Sequence, residues 1–226
     1  MQDRREFLER ASAAAMMAML PLRATSFADA LPPLPITDAT AADWDLSWVD
    51  RVTGKYRAIF DVPEIDSGYG VWRATIWQRQ YVDVLKAAPQ DCSAVVVMRH
   101  KGIALAMQQS FWDTYGLAKT NQVTDPVTEK PTDRNPAMLS SSRGEAPAAT
   151  DVYALDKFIG RGGIALACNL AIADMVEIVT KKDGLAGDAA RKVVLAALVP
   201  GVIVQPSGVF AAIHAQDAGC KYLRAS

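Results

Sequence analysis

Cys168 is the best placed for chemistry of the three cysteines in the chain, Cys92, Cys168 and Cys220. It follows the apolar run GIALA and directly precedes Asn169 and a predicted helix. Free backbone N–H groups at a helix start stabilise a thiolate and lower the pKa of a thiol. A thiolate can attack sulfur or carry it as a persulfide, so Cys168 is the candidate catalytic residue. The alternative is that Cys168 is a small buried side chain without chemistry, and position alone does not separate the two interpretations.

Four polar residues are predicted to line the same site because each lies at the end of a predicted strand. Asp61 ends the first strand, His100 follows the second, Asn169 follows the third and Ser207 follows the fourth. Ligands of open parallel α/β sheets bind beyond the carboxyl ends of the strands, so these four are the candidate binding residues. His100 could activate Cys168 if their strands are neighbours. The alternative for His100 is a solvated side chain within an Arg-His-Lys run.

Several other site classes are disfavoured by what the chain contains. The chain has two histidines, His100 and His214, and no Cys-x-x-Cys pair, which argues against a closed structural zinc site. No Gly-x-Ser-x-Gly elbow and no complete dinucleotide fingerprint are present. We therefore expect neither a metal nor an organic cofactor. Cys92 and Cys220 open predicted strands, and they could pair with each other only if those two strands are adjacent.

Short apolar strands that alternate with helices must position these residues. The hydrophobic pattern predicts strands at 55–62, 92–98, 163–167, 202–205 and 220–223. It predicts helices at 71–86, 103–115, 151–159, 170–182, 188–198 and 207–218. In the first of these helices we expect Trp72, Ile76, Val84 and Leu85 to be buried. The alternation predicts an α/β fold, a three-layer α/β/α sandwich with a mainly parallel sheet of about five strands.

The same pattern predicts a single α/β domain over residues 54–226. Residues 119–149 interrupt it with four prolines and many polar side chains, which indicates an insertion. We interpret that insertion either as a mobile loop or as an arm that packs on a neighbouring subunit. Residues 29–53 are rich in Pro, Asp and Ala and are predicted to form an extended leader. Trp44 and Trp48 are expected to dock this leader onto the domain.

Residues 1–28 are predicted to be an export signal. Arg4 and Arg5 precede Phe7 and Leu8, and an apolar stretch at 11–22 is too short for a membrane span. Small-x-small cleavage sites follow at 26–28 and 28–30. The segment resembles the twin-arginine translocation motif, which implies export of a folded chain to the periplasm or another extracytoplasmic space, with anchoring if the signal is not cleaved. The alternative is an amphipathic N-terminal helix with a chance Arg-Arg pair.

The charge balance excludes two partner classes. The formal net charge is −1 at pH 7, so nothing points to nucleic acid or to an anionic membrane surface. No segment after the signal is long and apolar enough to span a membrane. The expected partners are further copies of this chain and a second protein.

Three segments are similar to the DsrE/DsrF-like family: KFIGRGGIALACN at 157–169, VPGVIVQPSGV at 199–209 and GCKYL at 219–223. The strand at 94–98 and the helix that starts at Ile103 also fit, so the resemblance covers roughly residues 54–118 and 150–224. It implies a compact α/β domain that assembles as dimers, trimers or hexamers. It further implies sulfur relay, in which a cysteine that maps onto Cys168 carries a persulfide between partners.

Two functions are therefore expected. The first is an exported DsrE-like protein that binds or relays sulfur species through Cys168, and it is an enzyme only in the sense of a sulfurtransferase-like carrier. The second is a non-catalytic, homo-oligomeric binding or scaffold protein of the cell envelope. A Cys168 that is buried away from polar groups would favour the second function, because a thiolate needs solvent or a polar neighbour.

Overall fold

The computed structural model describes residues 44–138 and 151–226, all of which belong to one compact unit over 36–226. The predicted signal at 1–28, residues 29–43 of the predicted leader and residues 139–149 of the predicted insertion lie outside the described residues. Within the described ranges, no helix combines the length and the apolar character that a membrane crossing needs.

A five-stranded, all-parallel sheet forms the centre of the molecule. Its strands are β1 (Tyr56–Val62), β2 (Cys92–Met98), β3 (Ile164–Cys168), β4 (Val202–Gln205) and β5 (Lys221–Arg224). Their order across the sheet is β4-β3-β2-β1-β5. The predicted α/β class is confirmed, and the architecture agrees with a three-layer sandwich.

Seven α-helices surround the sheet in the described ranges. They are α1 (Tyr69–Leu85), α2 (Gln109–Tyr115), α3 (Leu117–Asn121), α4 (Leu155–Gly160), α5 (Asn169–Asp183), α6 (Gly187–Ala196) and α7 (Gly208–Asp217). Short 3₁₀ helices occur at Ser47–Arg51, Asp66–Gly68, Pro89–Asp91, His100–Ala106 and Pro136–Met138.

The strand order explains which helices lie on each face of the sheet. From β1 to β4 the chain always advances in one direction, so right-handed crossovers place α1, α5 and α6 on one face. The return from β4 to β5 crosses the sheet the other way and places α7 on the opposite face. Among the described residues, α7 and the 3₁₀ helix Ser47–Arg51 cover that second face, and Trp48 of the 3₁₀ helix is fully buried.

Residues 100–115 form two elements instead of the one helix predicted from 103 to 115. The first is the 3₁₀ helix His100–Ala106, and the second is α2. Residues 102–106 are buried on every side, so they lack the solvated side of an amphipathic helix. A Cβ on Gly102 would meet the carbonyl oxygen of Val62, so only glycine fits where this segment crosses β1.

The described part of the predicted insertion packs on its own domain. Val123, Asn135, Ala137 and Met138 are buried. The Asn135 side-chain amide donates hydrogen bonds to the carbonyl oxygens of Leu105 (3.2 Å) and of Met107 (2.7 Å). Pro-rich composition thus marks irregular backbone here, and not a segment without tertiary contacts.

Candidate functional site at the carboxyl edge of the sheet

The sheet register brings the predicted site residues to one edge. Val62 pairs with Met98, Met98 with Ala167, and Cys168 with Gln205. The carboxyl ends of β1, β2, β3 and β4 therefore lie side by side. The predicted site residues come at the ends of these four neighbouring strands. Asp61 is near the end of β1, His100 follows β2, Cys168 ends β3 and Ser207 follows β4. They therefore lie along one edge, as the strand-end rule predicted.

Asp61 is the centre of a buried charged cluster. Its Oδ1 accepts a hydrogen bond from Arg99 Nε at 2.7 Å, and its Oδ2 accepts one from Arg99 Nη2 at 2.8 Å. The Tyr222 hydroxyl donates to the same Oδ2 at 2.6 Å. Because Asp61 is almost fully buried, the bidentate Arg99 fork and Tyr222 supply the hydrogen bonds that water would otherwise make.

The cluster keeps Asp61 ionised. Burial alone raises the pKa of Asp61, but the hydrogen bonds from Arg99 and Tyr222 and the charge of Arg99 outweigh it, so the pKa lies below the ordinary value of 3.8. The hydrogen bond to Asp61 raises the pKa of Arg99, and it also raises the pKa of Tyr222. Asp61 is therefore a fixed anion and not a proton acceptor near neutral pH.

Ser207 directly precedes α7, the helix that packs on the second face of the sheet. Its Oγ accepts a hydrogen bond from the Phe210 backbone N–H at 3.0 Å, which is an ordinary N-cap. The next residue, Gly208, lies directly on the Arg99 side chain, because an added Cβ would come within 2.7 Å of Arg99 Cβ and Cδ. The start of α7 thus holds Arg99 against Asp61.

Cys168 lies at the N-cap position of α5, as predicted, but its thiol is enclosed. Its side chain is 6 % exposed, packs in the larger apolar core and makes no capping hydrogen bond. Asn169 is buried beside it, and Asn169 Oδ1 accepts a hydrogen bond from Arg191 Nη2 at 2.6 Å. This contact joins the start of α5 to α6. Arg191 is not among the site residues predicted from the sequence.

His100 is exposed and has a left-handed backbone conformation with φ of 46°. The structure shows no hydrogen bond between His100 and Cys168. His100 thus shares the edge with the other predicted residues, and its exposed side chain agrees with the alternative of a solvated histidine.

The other two cysteines lie at the amino ends of β2 and β5 and are unpaired, like Cys168. Because β1 lies between β2 and β5, Cys92 and Cys220 do not meet. Burial raises the pKa of both thiols, that of Cys220 to about 11. Both are poor nucleophiles at neutral pH.

An open cleft of about 500 Å³ lies beyond the carboxyl ends of β1 and β2. We call it the edge cleft and define it by its lining residues, Glu64, Ile65, Asp66, Lys101, Thr120, Asn121 and Gln122. None of them is among the four binding residues predicted from the sequence, although the strand-end rule places the loop that begins at Asp66, and also Lys101, at this edge. In the described part of the chain, no three His, Cys, Asp or Glu side chains are grouped as a metal site would require.

Comparison of the chain with protein-family models, with curated proteins and with solved structures gives no match. Function is therefore inferred from the geometry of the molecule.

Proposed function

We propose that this chain is a non-catalytic, homo-oligomeric binding protein with a DsrE-like fold. The observation that carries this proposal is the apolar outer side of α7. Val209 is 67 % exposed, Phe210 is 39 % exposed and Ile213 is 54 % exposed. The buried Cys168, which makes no capping hydrogen bond, also favours a binding role over thiol chemistry.

Helix α7 is apolar on both sides, which is unusual for a surface helix. Its inner residues Ala211 and Ala215 are fully buried against the sheet. Its outer residues Val209, Phe210 and Ile213 would normally be polar if they stayed in water. An apolar patch of this kind on a soluble protein marks an interaction surface.

A second copy of this chain fits the outer side of α7. A two-fold axis across the middle of the helix would pair two α7 helices in antiparallel orientation. Ile213, which lies near this axis, would then pack on Ile213 of the second copy, and Val209 would lie opposite the last turn of the second helix. Asp217 ends the helix and is exposed, so it would approach the N-terminal end of the partner helix, where free N–H groups carry partial positive charge. The apolar side chains and the charged groups of the two copies would thus both be complementary to each other.

The test is the oligomeric state of the full chain, measured by sedimentation equilibrium over a range of concentrations. We expect a dimer or larger assembly for the wild type. The Val209→Ser, Ile213→Ser double variant should raise the dissociation constant at least about ten-fold, because it removes apolar area worth roughly 1.4 kcal/mol or more. Both positions are exposed, so the fold should be unaffected.

Val84→Ser is the matched control, since Val84 is a helical valine that is 72 % exposed on α1. It should assemble like the wild type. A wild-type chain that stays monomeric at every concentration would overturn the proposal. So would a double variant that assembles as tightly as the Val84→Ser control.

We also propose a second candidate function, the binding of sulfur species through Cys168. Its support is the position of the thiol at the start of the 15-residue helix α5, beside the strand that carries Arg99. Because the thiol is buried, this function requires a local opening at the start of α5.

Thiol alkylation as a function of pH, resolved for each cysteine by mass spectrometry, tests the second candidate. If Cys168 binds sulfur species, alkylation should modify Cys168 while Cys92 and Cys220 stay unmodified. The buried Cys92 and Cys220 are internal controls. If Cys168 is as inert as these two, sulfur chemistry at this site is ruled out.

A further inference from the structure

We propose that the edge cleft binds a small zwitterionic molecule of the α-amino-acid class. The proposal is independent of both α7 and Cys168, because neither lines the cleft.

The cleft has the size and the place of a ligand site. Its volume of about 500 Å³ lies within the range of small-molecule pockets. It lies beyond the carboxyl ends of β1 and β2, and ligands of open α/β sheets bind beyond the carboxyl ends of the strands.

The walls of the cleft hold backbone conformations that are costly for residues other than glycine. Asp66, Ser67, His100 and Gln122 have φ between 38° and 51°, and all four lie on or next to the lining. Left-handed residues of this kind persist only where surrounding contacts enforce them, and they concentrate at binding sites. The shape of the cleft is therefore maintained against local preference.

Three hydrogen bonds join the segments around the cleft to one another. The hydroxyl groups of Ser67 and Thr124 are 2.7 Å apart and join the loop after β1 to the segment after α3. The Gly102 N–H donates to the carbonyl oxygen of Pro63 at 3.0 Å. The Glu64 N–H donates to Ser226 Oγ at 3.0 Å, which fixes the cleft to the C-terminal residue.

The charges of the lining select the ligand class. Asp66 already has a cationic partner, because its Oδ2 lies 2.9 Å from Arg73 Nη1. Within the described residues, neither Glu64 nor Lys101 forms an ion pair. The cleft thus offers one available carboxylate and one available ammonium group. A ligand that carries both an ammonium and a carboxylate group satisfies the two together, whereas a simple anion or cation satisfies only one.

The remaining polar lining fits the same ligand. The Asn121 Nδ2 donates to the carbonyl oxygen of Leu117 at 2.8 Å, and Asn121 Oδ1 remains as an acceptor. Gln122 adds an exposed amide with donors and an acceptor. The lining contains one apolar side chain, Ile65, so the ligand should be small and polar instead of aromatic or aliphatic.

The experiment is a titration of the ¹⁵N-labelled full chain, followed by amide chemical shifts, with L-serine, acetate and methylammonium as separate probes. We expect saturable shifts for L-serine at residues of the edge cleft. We expect no saturation for acetate or for methylammonium, which carry only one of the two charges.

Glu64→Gln and Lys101→Gln should each raise the dissociation constant for L-serine about ten-fold, because each removes one charge-assisted hydrogen bond. Both side chains are exposed, so these variants should fold. Lys119→Gln is the control, since Lys119 is an exposed lysine of α3 outside the lining, and it should bind like the wild type. An absence of saturable L-serine shifts overturns the proposal. Equal weakening by Lys119→Gln, or equal shifts with acetate or methylammonium alone, also overturns it.

Discussion

Asp61 combines deep burial with a full set of hydrogen-bond partners. A buried carboxylate without partners would be protonated at neutral pH, because water is no longer there to stabilise its charge. Arg99 and Tyr222 replace that water, and Arg99 is itself only 23 % exposed. The three side chains join β1, β2 and β5, so one charged cluster connects three of the five strands.

Asp61→Asn should destabilise the fold by about 2–4 kcal/mol at pH 7, because it removes the partner of a largely buried guanidinium group. The pKa of Asp61 is lower in the folded chain than its ordinary 3.8. Its contribution is therefore complete above pH 3.8 and is lost as the pH falls through the lower, folded value. Urea denaturation of both proteins at pH 7 and at successively more acidic pH measures the difference.

Asp83→Asn provides the control for this prediction, because Asp83 pairs with Arg79 and both side chains are exposed. Such a surface pair is worth at most about 1 kcal/mol. If Asp61→Asn costs no more than Asp83→Asn at pH 7, the buried cluster contributes less than its geometry implies. A difference that does not shrink in acid would contradict the assigned pKa direction.

The sequence located the candidate residues at one edge but could not supply their partners. Asp61 and Ser207 were predictable because strand ends follow from local hydrophobic runs. The contact between Asp61 and Tyr222 joins residues more than 150 positions apart and depends on β5 lying beside β1. Hydrophobic periodicity carries no information on strand order, so this contact could not be predicted. The Asn169–Arg191 contact depends on how α5 packs against α6, which the hydrophobic pattern does not give either.

At the scale of single elements, the sequence was most informative where a short apolar strand is bounded by turns. Strand β4 was predicted with its observed bounds, 202–205. The prediction that Val84 and Leu85 are buried was wrong. Residues 83–86 are all exposed, so the last turn of α1 extends beyond the layer that it covers. Trp72 and Ile76, which were also predicted to be buried, are half-buried, whereas Val71 and Ala74 are fully buried. The amphipathic pattern of α1 therefore gave neither the exact buried positions nor the point at which the covering layer ends.

Helix α7 illustrates a different limit of element-level prediction. Its sequence is apolar nearly throughout, which in isolation indicates a helix buried on all sides. The structure shows one side packed on the sheet and the other side exposed. The apolar sequence of α7 agrees with the structure only if a further molecule covers the outer side of the helix. For this reason the proposed assembly uses α7 as its interface.

At the scale of the whole molecule, the fold class followed from the alternation of strands and helices in the sequence. The cellular location rests on residues 1–28, which lie outside the described residues. We propose that the chain is exported through the twin-arginine route, on the basis of Arg4 and Arg5 in the sequence. A receptor that reads paired guanidinium groups should not accept lysine in their place, since lysine lacks the planar fork of donors.

The Arg4→Lys, Arg5→Lys double variant should therefore remain in the cytoplasm of a bacterial host that has this pathway. The wild-type chain should reach the periplasmic fraction, as measured by cell fractionation and immunoblotting. Arg10→Lys, outside the pair, should be exported like the wild type. Export of the double variant, or retention of the wild-type chain, would contradict the proposal.

The pairing of β1 with β5 determines when the sheet can be completed during synthesis. β1 is made first among the described strands, whereas one of its two neighbours is formed by residues 221–224, which are made after every other described strand. Until those residues leave the ribosome, β1 has an open edge whose N–H and C=O groups can pair with another chain. The cluster around Asp61 likewise lacks the hydrogen bond from the Tyr222 hydroxyl until residue 222 has been made. The side of β1 that faces β5 therefore becomes protected only after residues 221–224 have been made.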